Sequence, residues 1–215
     1  MAFKEKDFLE IEFTGRLKNG TIFDSNIKEN MEKAKLTGKA EPFIFCLGEG
    51  MFVKGVDKFL IDKDIGEHII SLSPEEAFGK RDQKLVRMMP IKAFIEHKIN
   101  PVPGVVLNFD GKMGKIITVS GGRILVDFNN PIAGKDVEYT VKILRRIDEK
   151  KDQIAALNDF FYRQKFDFEI KDKKILMNVP KGMKSFVELF KDKYAEIFGL
   201  DVEVSEIELP LPKKE

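Results

Sequence analysis

The chain has one cysteine, two histidines and no tryptophan in 215 residues. A single thiol, Cys46, cannot close an internal disulfide and fits a reducing compartment. It lies between Phe45 and Leu47, a setting for an inert core thiol rather than a thiolate nucleophile, which needs basic, partly exposed surroundings. His68 and His97 lie far apart and, with one cysteine, form no zinc-ligand pattern. Charge of neither sign is in surplus. Lys+Arg 37 against Asp+Glu 36 leaves a net charge of +1, which gives no overall attraction to nucleic acid or to an anionic membrane. No apolar run approaches the ~20 residues that span a bilayer, and MAFKEKDF lacks the apolar core of a signal peptide. Gly111–Lys115 (GKMGK) lacks the GxxxxGK[ST] spacing of a phosphate loop and reads as a hairpin turn. These absences predict a cytoplasmic protein with no metal, no cofactor, and neither membrane nor nucleic acid as partner.

A hydrophobic content of 43% beside 34% charged residues describes a soluble globular chain. Its length allows one large domain or two to three small ones, each with a core. The abundance of Lys and Glu also suits a thermophile. The stretch Pro42–Leu60 (PFIFCLGEGMFVKGVDKFL) concentrates bulky apolar groups. Phe43, Phe45 and Leu47 alternate, as on one face of a strand. Gly48 and Gly50 permit a reversal, and Phe52, Val53, Val56, Phe59 and Leu60 follow at helical spacing. By spacing alone this is ordinary core.

Around it, Phe8–Leu17 predicts a strand, Lys18-Asn19-Gly20 a turn, and Thr21–Ser25 a return. Ser25–Lys39 reads as a surface loop with a helical turn, and Glu67–Leu72 as a strand closed by Ser73-Pro74. The segment from Lys80 to Phe128 is too long for a loop. It holds a helical turn at Ile91–His97 and strands at Val105–Phe109, Lys115–Ser120 and Arg123–Phe128. Val137–Leu144 predicts another strand. Beyond Arg146 the pattern reads αββαβ: a helix over Asp148–Gln164, a hairpin of Phe166–Ile170 and Lys174–Val179, a helix over Met183–Phe198 ending at Gly199, and a strand over Val202–Leu209. The helix over Met183–Phe198 carries more apolar surface than a small sheet face covers, which points to self-association as a homodimer.

Three phrases in order, FTGRLKNGTIFDS (Phe13–Ser25), PFIFCLGEGMFVKGV (Pro42–Val56) and SPEEAFG (Ser73–Gly79), with VEYTVKIL closing, resemble the FKBP-type peptidyl-prolyl isomerases. The material between SPEEAFG and the closing strand is similar to the insert-in-flap domain of SlyD-type members. The resemblance implies an α+β fold, with an antiparallel sheet wrapped on a short helix at about Val53–Leu60. It divides the chain into an isomerase domain (1–83 and 129–147), an inserted β-rich domain (84–128) and a C-terminal domain (148–215) of the kind that long archaeal members carry. It implies a prolyl isomerase that also acts as a chaperone on unfolded or nascent polypeptides. The other reading is a holdase or ribosome-associated module with little isomerase activity; a third is a structural adaptor joined through the C-terminal domain.

Carried over by motif, the pocket comprises Phe13, Phe23, Asp24, Phe43, Phe52, Val53, Val56, Phe78, Ile132 and Tyr139. Val56 takes the pocket floor, and Phe45, Leu47 and Phe59 remain core. Asp24 becomes a polar wall group; by itself it reads equally as a solvated strand-end carboxylate. Phe13 and Phe78 depart from the family's tyrosines and lack their hydroxyls. In the inserted domain, Met88, Met89, Ile91, Phe94 and Ile95 are either lobe core or an adaptable surface for unfolded chains, given methionine's flexibility. Glu75 and Glu76 diverge rather than forming a carboxylate pair. SlyD-type proteins often end in a His-rich tail; this chain ends ELPLPKKE, and the resemblance carries no metal site.

Overall fold

The computed structural model describes residues 2–208; the predicted strand's last residue, Leu209, and the final residues of the chain lie outside them. The first sheet runs β2 (Ile22–Ser25), β1 (Phe8–Leu17), β9 (Val137–Ile147), β4 (Gly66–Leu72), with β3 (Phe43–Cys46) also on β1. Every pairing in it is antiparallel. β1 is central because β9 runs along its whole length, while β3 takes Phe8–Ile11 and β2 takes Thr14–Arg16 on its other edge. The predicted turn forms at Gly20 (φ 83), a positive φ that glycine adopts without a Cβ penalty.

Two helices lie on this sheet, α1 (Lys28–Ala34) in the loop after β2 and α2 (Lys54–Leu60) after β3. The glycine turn before α2 is anchored by a residue on the helix. Asp57 accepts hydrogen bonds from the Gly48 N–H (2.8 Å) and the Gly50 N–H (3.3 Å). Gly55 must be glycine: a Cβ there would lie 2.5 Å from Leu72 Cδ2 and 2.9 Å from the Glu76 carbonyl oxygen. Its N–H donates to that same carbonyl at 2.8 Å, so α2 and the SPEEAFG turn are locked together. Phe45 and Leu47 are fully buried, as expected. Phe59 is not core: it is exposed, with the Lys63 ammonium 4.8 Å above its ring. Its helical spacing placed it on the apolar face, but α2 has too few turns to bury all of that face.

Between β4 and β9 stands a second sheet, β5 (Val86–Pro90), β8 (Arg123–Asp127), β7 (Lys112–Ser120), β6 (Val106–Phe109), with α3 (Ile91–Glu96) packed on it. Its core of Phe94, Ile116, Ile124 and Val126 is separate from that of the first sheet. The third sheet joins β10 (Asp167–Lys171), β11 (Lys174–Pro180) and β12 (Asp201–Ile207), the last two parallel. α4 (Lys150–Tyr162) precedes it. Where one helix was expected over Met183–Phe198 there are two, α5 (Lys184–Glu188) and α6 (Lys191–Phe198). Tertiary contacts override the helical pattern here. Phe190 stacks on Phe161 at 4.5 Å and Phe186 meets Tyr162 at 5.9 Å, both on α4. The core of this unit is continuous with that of the first sheet. Phe8 stacks on Phe198 at 5.7 Å, and the Lys193 ammonium reaches Glu49 at 2.9 Å.

Candidate active site

The first sheet and the segment leading into α2 carry a connected group of aromatic rings. Phe52 is its hub, with ring centroids 4.8 Å from Phe13, 5.8 Å from Phe43, 5.7 Å from Phe45 and 5.6 Å from Tyr139. Tyr139 meets Phe23 edge-on at 5.8 Å, and Phe23 meets Phe78 at 5.6 Å. Offset and edge contacts at such separations add about 0.5–1.5 kcal/mol per pair beyond burial. The register explains how the strands bring these rings together. Gly15 on β1 stands opposite Tyr139 on β9 and Asp24 on β2. A Cβ at Gly15 would lie 2.9 Å from the Phe23 ring and 3.0 Å from the Tyr139 ring. The missing side chain is what lets both rings lie across β1.

Of the ten pocket positions expected from sequence, Phe13, Asp24, Phe43 and Phe52 line one open cavity of about 570 Å³. Phe23, Phe78 and Tyr139 join these rings by direct contact. Val53 and Ile132 are half-buried against the same core, Val53 as the residue that opens α2. Val56 differs from the expectation. It is fully buried in the core and does not line the open cavity.

The polar element of the site was not visible in the sequence. The Tyr139 hydroxyl donates to Asp24 Oδ2 at 3.1 Å, across 115 residues of chain. Burial pushes the Asp24 carboxyl above its ordinary range, opposed by the Tyr139 hydroxyl and the Ser25 N–H. Burial and the neighbouring carboxylate both push the Tyr139 phenol upward, so it remains a donor. Asp24 is therefore held in the wall and is not a solvated strand end. The only clue in the sequence was a tyrosine on the closing strand together with a phenylalanine at position 13. Asn26 was also unforeseen. It accepts from the Phe13 N–H at 2.7 Å and donates to the carbonyls of Ile11 (2.9 Å) and Glu41 (3.1 Å), fixing the β1 edge against the loop before β3.

The remaining candidates are placed as follows. Cys46 is fully buried and its thiol is pushed up to about 12, by burial first and then by Glu49 and Asp57, so it is inert. Glu75 pairs with Lys80 at 2.8 Å while Glu76 accepts from the Ser73 hydroxyl at 2.6 Å, so the two carboxylates do diverge. In the inserted lobe, Met88 on β5 and Ile95 on α3 are 62% and 64% exposed. Met89 and Ile91 are half-buried against the lobe core. Phe94 is 3% exposed and belongs to that core rather than to a binding surface; as the one aromatic on α3 it supplies the ring that packs on Phe109. No helix among the described residues is long and apolar enough to cross a membrane.

Comparison with known proteins agrees with this geometry. The family model for the FKBP-type peptidyl-prolyl cis-trans isomerases matches residues 1–100, and that for the insert-in-flap domain of FKBP26 matches residues 87–132. The short-type peptidyl-prolyl cis-trans isomerase of Methanocaldococcus jannaschii is 27% identical over 144 residues, covering 65% of this chain and 91% of that protein. The FKBP-type 16 kDa peptidyl-prolyl cis-trans isomerase of Escherichia coli is 29% identical over 140 residues, covering 62% and 87%. The FKBP-type peptidyl-prolyl cis-trans isomerase SlyD of Helicobacter pylori is 28% identical over 139 residues, covering 63% and 69%. Over residues 1–132 the chain is an FKBP-type peptidyl-prolyl cis-trans isomerase that carries an insert-in-flap domain.

Proposed function

We propose that the aromatic cluster around Phe52 is the site of prolyl isomerisation, and that the inserted lobe gives the enzyme chaperone activity on unfolded or nascent polypeptides. The cluster itself carries the first half of this reading. An X-Pro bond rotates over a barrier of ~18–20 kcal/mol because rotation breaks amide resonance. Losing resonance removes charge separation, so the twisted transition state is less polar than the planar ground state. A water-poor aromatic pocket favours that state differentially, which is what catalysis requires. No nucleophile takes part in such a rotation. Phe13, Phe23, Phe43, Phe52, Phe78 and Tyr139 supply the apolar wall, with Val53 and Ile132 at its edges. Asp24, held by Tyr139, is a polar group set among these rings.

Phe78 stands where the family has a tyrosine whose hydroxyl donates to substrate. A net hydrogen bond contributes ~0.5–1.5 kcal/mol, at most about tenfold in rate. Phe78→Tyr is therefore expected to raise kcat/KM on a prolyl tetrapeptide by up to about tenfold. An unchanged or lower value would show that Phe78 does not face the substrate.

Within the division into isomerase domain (1–83 and 129–147), lobe (84–128) and C-terminal domain (148–215), the separate lobe core supports the lobe as a unit, while the other two share one core. The lobe exposes the apolar side chains of Met88, Ile95, Val102, Val105, Val106 and Met113, and exposed apolar surface is what an interaction site for unfolded chains needs. Met88→Glu should weaken suppression of client aggregation and spare tetrapeptide isomerisation; equal loss of both, or of neither, would remove the lobe surface from the account. Leu189 (75% exposed), Phe186 and Ile207 leave apolar surface uncovered in the C-terminal domain, which supports a homodimer through this domain. Light scattering should give a dimer for the full chain and a monomer for a chain ending near Lys150. A monomeric full chain would end that idea.

The second reading is a cytoplasmic holdase or ribosome-associated module with little isomerase activity, favoured by the phenylalanines at 13 and 78. The Tyr139–Asp24 hydrogen bond weighs against it, because a hydroxyl has been retained in the wall from a different strand.

A further inference from the structure

Helix α4 lies in the C-terminal part of the chain, and neither family match extends past residue 132. The end of α4 nevertheless borders the aromatic site. The cavity lined by Phe13, Asp24, Phe43 and Phe52 is also lined by Asp159 on the last turn of α4 and by Arg163, the residue that closes it. A second cavity of about 370 Å³ continues between β3 and α4 as far as Arg145 and Asp152, and it shares Lys39, Glu41, Pro42, Phe43, Asp159 and Arg163 with the first. The two form one groove that leads out of the aromatic site along α4.

We propose that this groove is a second subsite for the polypeptide substrate, in which the segment flanking the proline lies against α4 and an acidic side chain of that segment pairs with Arg163. The proposal rests on the reading that the aromatic cluster takes the proline. Three observations carry it. The groove is continuous with that cluster, so an extended chain leaving the pocket can follow it. One wall is β3, which among the described residues pairs with no strand but β1, and such an edge strand offers main-chain groups to an extended polypeptide. The other wall places apolar Ala155 and Ala156 beside charges of both signs, which suits alternating side chains of a polypeptide better than a uniform polyanion.

The charge at Arg163 is available. Asp159 and Arg163 stand four residues apart, a spacing at which helical charges pair. Among the described residues, however, neither is in a salt bridge. Arg163 closes the helix in the left-handed region (φ 54), and its guanidinium turns onto the Phe160 ring at 5.9 Å instead. Arginine is well suited to such a site, since its planar fork matches a carboxylate while its face rests on an aromatic ring.

The test compares peptides on the intact chain. One is a prolyl tetrapeptide; the others are peptides of about ten residues, reaching ~3.3 Å per residue, with glutamates or with lysines on both sides of the proline. The readout is the ratio of kcat/KM for each long peptide to that for the tetrapeptide. Arg163→Glu is expected to lower this ratio about fivefold for the glutamate peptide and to raise it for the lysine peptide, as an exposed ion pair of up to about 1 kcal/mol allows. Raised salt should shrink the difference. Arg163→Gly guards against a folding artefact, because glycine adopts the left-handed cap without strain; it too should lower the glutamate ratio. Ratios that stay at the unmodified chain's values in both variants overturn the subsite. Absence of tetrapeptide isomerisation by the unmodified chain overturns instead the aromatic-site reading on which the subsite depends.

Discussion

Phe52→Ala is expected to lower kcat/KM on a prolyl tetrapeptide by about a hundredfold, the scale seen when a reacting group is misplaced by an ångström or so. Phe52 touches four other rings, and removing it frees Phe13, Phe43 and Tyr139 to shift. It also admits water beside the rotating bond, which lessens the advantage that the less polar transition state has in an apolar wall. Stability should fall as well, by about 2–3 kcal/mol, below the 3–5 kcal/mol of a fully buried phenylalanine because Phe52 is only half-buried. Thermal denaturation beside a protease-free isomerisation assay separates the two effects. Destabilisation with an unchanged kcat/KM would confine Phe52 to a core role.

The second large effect concerns the lobe. Its two connections already lie side by side. The Asp82 N–H donates to Asn129 Oδ1 at 2.8 Å, and Asn129 Nδ2 donates back to the Asp82 carbonyl at 2.9 Å. Below them, the Gly134 N–H donates to the Gly79 carbonyl at 2.8 Å. Residues between 82 and 129 can therefore be replaced by a tight glycine-containing turn with little disturbance to the first sheet, whose core does not include the lobe's. The shortened enzyme is expected to keep tetrapeptide activity and to lose about a hundredfold in acceleration of a proline-limited protein refolding reaction. That magnitude follows from effective concentration, since tethering a client beside the pocket raises avidity by about 10²–10⁴. Equal losses on both substrates would mean that the lobe supports the pocket rather than captures clients.

How much of this was readable beforehand depended on the range of the interactions. The strand, turn and helix of Pro42–Leu60 follow from local periodicity and two glycines, and the structure has them as β3, the Gly48–Gly50 turn and α2. The aromatic positions came from phrases in the sequence, not from spacing, which assigned the same residues to ordinary core. Long-range pairings stayed hidden. The Tyr139–Asp24 bond, the Asn26 latch on β1 and the place of α4 beside the cavity each need the tertiary fold. Periodicity also overstated burial. Phe59 fell on the exposed side of a helix only seven residues long, and the run around Phe190 broke into two helices to stack its rings on α4. In the lobe, the five expected contact residues divided because Phe94 faces the sheet while Met88 and Ile95 face away.

The most direct measurement is the cis–trans exchange of a prolyl tetrapeptide by NMR, with and without catalytic amounts of the unmodified chain. Unaided exchange takes tens to hundreds of seconds. The aromatic-pocket account expects exchange cross-peaks that grow with enzyme concentration and vanish when a tight prolyl ligand occupies the cavity beside Phe52. Exchange no faster than in buffer, or exchange that such a ligand leaves unchanged, would contradict it.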